Sequence, residues 1–202
     1  MNEHKELLVA TNNKGKVREL SQLLSDFPLR LRLLGEFPDV DEAEETGETF
    51  AENATLKALH YSAHTGLLTL SDDSGLSVDA LGGAPGVRSA RYAGREATYA
   101  ERMSKLLGEL DATGDEGRRA RFVCVIAVAD PAAGTLQTFE GSCEGRIARA
   151  PRGTGGFGYD PLFIPDGHDR TFGELPAEIK HTLSHRARAL QRAVRHLREL
   201  YT

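Results

Sequence analysis

The sequence predicts an α/β protein built on a mixed, twisted sheet with flanking helices. Short leucine- and valine-rich runs alternate along the chain with segments whose apolar residues recur at helical spacing. Two long strand-like runs, RARFVCVIAVAD (119–130) and GTLQTFEGSCEGRIA (134–148), meet at a DPAAG turn that suits an antiparallel hairpin. No repeat, low-complexity tract or Pro/Ser-rich linker divides the chain, so residues 1–202 read as a single domain.

The elements follow in order. KELLVAT (5–11) predicts a strand; polar NNKGK follows, and then VRELSQLLSDF (17–27), where Val17, Leu20, Leu23, Leu24 and Phe27 recur at helical spacing. LRLRLLG (29–35) predicts a second strand. The acid run DVDEAEETGE (39–48) leads into a helix whose start is marked by Thr49 and Glu52, the S/T-x-x-E capping box. LLTLSDD (67–73) predicts a third strand ending at an acid pair, and TYAERMSKLLGEL (98–110) another helix. After the hairpin, SHRARALQRAVRHLREL (184–200) places Ala187, Leu190, Val194 and Leu197 on one stripe with arginines opposite.

Composition narrows the function. A chain of 202 residues with 40% hydrophobic and 27% charged residues can bury a sizeable core. No apolar run reaches the length of a membrane span, and MNEHKELLVA lacks a signal-peptide core; the expectation is a cytoplasmic protein with no membrane partner. A formal net charge of -5 argues against nonspecific nucleic-acid binding, so an anionic ligand needs local positive charge or a metal. Cys124 and Cys143 stand far apart without C-x-x-C spacing and suggest neither a zinc knuckle nor a disulfide framework.

Three places break the local rules of stability. The first helix begins with Lys14, Lys16 and Arg18, although the positive end of a helix dipole prefers acids. A bound phosphate would repair that misfit; the plainer account is that Asn13 caps the helix and the lysines are solvated. The last helix repeats the pattern, with Ser184 as N-cap and His185, Arg186 and Arg188 behind it. The third place is APRGTGGFGYDPLFIP (150–165), where four glycines surround Phe157 and Tyr159; a ring held there either stacks on a flat ligand or belongs to a tight hairpin.

The acids complete the set. In an ideal strand Asp72 and Asp73 point to opposite faces, so one of them serves a given site and a partner must come from elsewhere. Glu44 and Glu45 of the acid run are candidates, and a strand-end Asp with a Glu supplies the hard oxygens that magnesium uses beside substrate phosphates. His60 and His64 lie four apart, but no H-E-x-x-H glutamate accompanies them, and surface histidines are the better reading.

Five segments, ATNNKGKVREL, EETGETFAENATLKA, DDSGLSVDALGGAPGVRSARYAG, GTGGFGYDPLF and SHRARAL, occur in an order that resembles the inosine triphosphatase family, the dITP/XTP pyrophosphatases. The resemblance spans nearly the whole chain. It implies two lobes around a central substrate cleft, a homodimer, and magnesium-dependent hydrolysis of non-standard purine nucleoside triphosphates to monophosphate and pyrophosphate. Carried over residue by residue, it implies that Thr11, Asn12, Asn13, Lys14, Gly15 and Lys16 hold the triphosphate. Glu44 and Asp73 would bind Mg2+, with Asp73 also the general base. Ser74 would touch the substrate, and Phe157, Gly158, Tyr159, Asp160, Lys180, His185 and Arg186 would surround the nucleotide. Two departures stand out: Asn12 where glycine is common, and Ile179 where an acid often precedes the lysine.

Two other readings stay open on the sequence. A Maf-type nucleotide pyrophosphatase shares the phosphate logic but acts on other bases. A nucleotide-binding regulator would bind triphosphates without hydrolysing them, and Asp72–Asp73 would then be only a turn.

Overall fold

Strands Glu6–Val9 (β1), Arg30–Leu33 (β2), Leu68–Val78 (β3), Arg119–Asp130 (β4), Thr135–Ile147 (β5) and Phe163–Pro165 (β6) form one sheet in the computed structural model, which describes residues 6–201. Lys5, the first residue of the expected strand, lies outside the described residues, as do residues 1–4 of the N-terminal segment MNEHKELLVA. The strand order is β2-β1-β3-β4-β5-β6. β1 is parallel to both β2 and β3, and β5 is antiparallel to β6, so the sheet is mixed as expected. β4 and β5 are neighbours joined by residues 131–134, far too short for a parallel crossover; the hairpin is therefore antiparallel.

Five α-helices are Lys14–Leu23 (α1), Phe50–Thr65 (α2), Tyr99–Thr113 (α3), Ala177–Leu183 (α4) and His185–Tyr201 (α5). α2 and α3 each begin with a capping box, Thr49 with Glu52 and Thr98 with Glu101, and each ends at a left-handed glycine, Gly66 and Gly114. α1 stops at Leu23, short of the expected Phe27, because Pro28 biases the residue before it away from helix; Phe27 still enters the core from the following turn. α4 and β6 are additions that no sequence pattern announced. The third strand runs five residues beyond its expected end, placing Asp72 and Asp73 in a strand interior instead of at a strand end.

The chain divides into two compact units. Among the described residues, unit 1 comprises residues 6–73, 124–140 and 189–201; unit 2 comprises 74–123 and 141–188. In unit 1, β4 shows why its sequence is apolar from Cys124 to Ala129. Cys124, Ile126 and Val128 pack with Leu20 and Leu24 of α1 and with Leu190 and Leu197 of α5, while Val125, Ala127 and Ala129 pack with Ala54 and Ala58 of α2. The period of two thus feeds two separate apolar clusters. In unit 2, Leu76, Phe122, Phe163 and Phe172 are joined by Leu106 and Leu110 of α3. None of the helices in the described residues is long and apolar enough to cross a membrane.

Candidate active site

The acid pair of β3 organises unit 1. Asp72 and Asp73 are both buried and, as the alternation of a strand requires, engage different partners. Asp72 Oδ2 lies 3.0 Å from Lys16 Nζ on α1, and the Cys124 thiol lies 3.9 Å from the same oxygen. Asp73 Oδ2 accepts from Asn53 Nδ2 at 3.2 Å, and its Oδ1 is 3.7 Å from Lys57 Nζ. Asn53 and Lys57 are one helical turn apart on α2, so one face of that helix presents both groups to a single carboxylate. Lys57 Nζ also lies 2.5 Å from Glu45 Oε1, which ties the acid run to the cluster.

Electrostatics sets the proton affinities. Burial pushes the Asp73 carboxyl above the ordinary aspartate range; Lys57 and Lys16 pull it back, and Glu45 and Asp72 add to the rise. The net displacement is upward. Burial alone would lower the Lys57 ammonium, but Asp73, Asp72 and Glu45 outweigh it and hold the group above its usual value. The result is a carboxylate that binds a proton more readily than a free aspartate, beside a lysine that stays charged.

The loop before α1 is tied from within. Asn13 Oδ1 accepts from the N–H groups of Gly15 at 2.9 Å and Lys16 at 3.2 Å, and the Asn13 N–H donates to Thr11 Oγ1 at 3.3 Å. Asn13 is therefore the N-cap, and two backbone donors of the first turn are already used. What the turn presents to an anion is side-chain charge: Lys16 with 11% of its side chain exposed, and Lys14 exposed outright beside exposed Asn12. The basic misfit of α1 is partly answered by the protein's own Asp72.

Unit 2 carries the second group of expected residues. Asp160 Oδ2 accepts from Lys180 Nζ at 2.5 Å and from the Phe157 N–H at 2.7 Å. Gly156 makes this possible: its φ is +70°, and a Cβ there would stand 1.9 Å from Asp160 Oδ2. The half-buried Phe157 ring has Lys180 Nζ 4.7 Å and the Arg186 guanidinium 5.6 Å from its centroid. Arg186, fully buried, donates from Nη2 to Ser74 Oγ at 2.9 Å. The His185 ring stacks on Phe122 at 4.7 Å. Tyr159 belongs to the core; its hydroxyl donates to the Ser89 carbonyl at 3.0 Å, and burial raises its pKa. Ser184 caps α5 through its Oγ, 3.2 Å from the Ala187 N–H.

Within unit 1 the structure brings Lys16, Asp72 and Asp73 together, and within unit 2 Ser74, Phe157, Asp160, Lys180 and Arg186. Glu44 and Glu45 are both exposed, and Glu45 is the one that the structure shows in contact with Lys57. Asn53, Lys57 and Asp72 were assigned no role from the sequence. A usable signal existed for the first two: polar residues spaced by four beside Ala54, Ala58 and Tyr61, on a face that should be apolar.

Fit to a divalent cation follows from the donor set. No cluster of three or more His, Cys, Asp and Glu residues that could hold a metal occurs among the described residues. Asp73 with one glutamate of the acid run nevertheless offers hard carboxylate oxygens, and Mg2+ commonly takes one or two carboxylates and completes its shell with water and substrate phosphates. The residues present fit that ion.

Comparison with known proteins agrees over the whole length. The model of the Ham1 family matches residues 7–196. A protein from Desulforamulus reducens named dITP/XTP pyrophosphatase is 52% identical over 195 residues, covering 96% of both chains. One of the same name from Geobacter sulfurreducens is 51% identical, covering 95% of this chain and 96% of its own. Among solved structures, a Ham1 protein from Coxiella burnetii superposes with a TM-score of 0.89 at 45% identity, covering 96% of this chain and 99% of that one.

Proposed function

The chain belongs to the Ham1 family, and from that premise we propose that it hydrolyses non-standard purine nucleoside triphosphates, dITP or ITP and XTP or dXTP, to the monophosphate and pyrophosphate. The observation that carries this reading is Asp73: a buried carboxylate of raised proton affinity, anchored by Asn53 and facing Lys57. A general base works best when its pKa approaches the working pH, and this environment moves an aspartate in that direction.

In the proposed reaction Asp73 takes the proton of a water that attacks the α-phosphorus. The bond to the bridging oxygen breaks, and pyrophosphate leaves. Lys16 offsets phosphate charge while Asp72 fixes its ammonium. Lys57 keeps Asp73 ionised often enough to act. Asp73 and a glutamate of the acid run would hold Mg2+; Glu44 is the residue the resemblance designates, and Glu45 is favoured by its contact with Lys57. When bound, the cation neutralises phosphate oxygens and stabilises the leaving group.

Unit 2 supplies base recognition. Lys180 and Arg186, both buried and fixed by Asp160 and Ser74, are donors suited to the oxo groups of a deaminated purine, and the Phe157 ring suits a flat base. Buried donors reject a ligand that leaves them unpaired by about four orders of magnitude. Removal of deaminated purines from the nucleotide pool is the corresponding cellular role.

Phosphorus NMR of the protein with ITP and Mg2+, with ATP in parallel, tests the proposal. Monophosphate and pyrophosphate from ITP, with ATP intact, are expected. Diphosphate and orthophosphate would move attack to the γ-phosphorus, and an unchanged spectrum would leave a binding protein.

A further inference from the structure

Unit 2 holds a second concentration of positive charge, on residues to which the proposed reaction gives no role. Arg118, Arg146, Arg149 and Arg152 line a recess of about 470 Å3 at the end of β5, with Glu116 and Asp169 as its acids. That volume lies in the range of small-molecule sites, roughly 300 to 1,000 Å3.

The recess is a built feature. Arg118 is buried; its Nη1 is 2.5 Å from Asp111 Oδ1 and its Nε donates to the Ile147 carbonyl at 3.0 Å. It holds this place at φ +50°, a left-handed conformation that is strained for a residue with a side chain. A glycine would relieve the strain but lose the anchor, so the guanidinium is what the position retains.

The remaining arginines are not equivalent. Arg149 is bridged to Glu116, and Arg152 Nε lies 3.5 Å from Glu174 Oε2. Arg146 is half-buried, and its hydrogen bond is a long one, from Nη2 to the His168 carbonyl at 3.5 Å. Asp166, whose carboxyl feels the Arg146 charge, is itself gripped by Arg119 through bonds of 2.7 and 3.0 Å. Among the described residues no carboxylate forms an ion pair with Arg146.

A guanidinium is a planar fork matched to the paired oxygens of a phosphate. No aromatic ring lines the recess, so nothing there stacks on a base; the apolar part is Ile147, Ile164 and alanine. Three of the four guanidiniums are matched by carboxylates, and Arg146 is the one whose charge no ion pair answers among the described residues. We propose that this recess is a second anion site, separate from the residues assigned to the nucleotide, that binds inorganic diphosphate or a longer phosphate chain with Arg146 as its principal ligand.

Calorimetric titration of the full chain with pyrophosphate and with tripolyphosphate, in EDTA, tests it on the wild type, Arg146→Gln and Lys16→Ala. Two classes of site are expected in the wild type. Arg146→Gln weakens one class at least about tenfold, the value of one charge-assisted hydrogen bond, and leaves ITP hydrolysis intact. Lys16→Ala weakens the other. Equal affinity for both probes assigns the site to a diphosphate unit, and tighter tripolyphosphate binding to a chain. Binding that Arg146→Gln does not change overturns the proposal. Because that variant could misfold, amide shifts of Ile147, Ala148 and Arg149 are followed in the labelled wild type as tripolyphosphate is added; shifts there support the site, and their absence overturns it. Loss of ITP hydrolysis in the wild type would sink the proposed reaction and leave this site standing.

Discussion

Each unit buries a lysine–aspartate pair, Lys16–Asp72 at 3.0 Å in unit 1 and Lys180–Asp160 at 2.5 Å in unit 2, but the surroundings have opposite character. Around the first, Asp73 and Glu45 add carboxylates, and one of the acids is forced to hold its proton more tightly. Around the second, Arg186 and the Phe157 ring are added, and the single acid accepts from a lysine and a backbone N–H. The same pair thus sits once in an acid-rich setting suited to proton transfer and once in a cation- and ring-rich setting suited to recognition. The contrast is a claim about roles, and variants on each side should break different observables.

The largest effect is expected from Asp73→Asn. It keeps the shape and the Asn53 neighbour but removes the base, so turnover should fall about a hundred- to ten-thousand-fold while nucleotide still binds. Rapid-quench rates beside equilibrium binding check this. Wild-type-like turnover would reduce the acid-rich side to a structural feature.

Lys180→Met probes the other side. It removes the ion-pair partner of the buried Asp160, a change that typically costs about 3 to 5 kcal/mol of stability. In the folded fraction, kcat/KM for ITP should drop toward that for ATP while the ATP rate moves little. An unchanged ITP to ATP ratio, measured at a temperature where the variant is folded, would take base recognition away from Lys180. Lys16→Ala should instead raise KM for both nucleotides and slow both, since phosphate charge is common to them.

The two sides were unequally legible in the sequence. α2, α5 and the β4–β5 hairpin follow from periodicity and caps that dominate their local energetics. β3 was cut short because Asp72, Asp73, Ser74 and Gly75 each favour turns, whereas in the fold Lys16, Lys57 and Asn53 compensate the acids and Leu76 and Val78 bury the continuation. Those compensating contacts span 56, 16 and 20 residues, beyond any local pattern. The strained glycine at 156 was visible as a glycine, but its reason, the Asp160 carboxylate pressed against it, exists only in three dimensions. Charge alone does not choose between the adjacent Glu44 and Glu45; the contact with Lys57 is what favours Glu45 in the proposed reaction.

The pH dependence sharpens the acid-rich side. With a base whose pKa is raised, the acid limb of its own titration, read by carboxyl NMR in EDTA where no cation draws it down, should lie at a higher pH than an ordinary aspartate would give. Lys57 is the strongest charge that holds this carboxyl down, so Lys57→Met should move the acid limb further up. A limb that stays in place in Lys57→Met would mean that another group controls the profile.

The smallest effect concerns stability, and it runs against intuition. Because the folded-state pKa of Asp73 lies above the unfolded value of about 3.9, the folded chain holds a proton that the unfolded chain has released in the interval between them. The stability this group contributes is full below the unfolded pKa and is lost as the pH rises through the folded one. At neutral pH the ionised side chain is therefore a net cost, borne for its chemistry. Asp73→Asn imitates the protonated form and should raise Tm, each kcal/mol being worth about 2 to 4 °C in a chain of this size. The gain should shrink as the pH falls through the raised pKa and vanish near the ordinary carboxylate range. Asp160→Asn should do the opposite and lower Tm, since it strips a buried lysine of its anion. Scanning calorimetry of both variants in EDTA across the acid range checks the contrast, and shifts of the same sign would show that Asp73 and Asp160 do not differ in what burial of their charge costs.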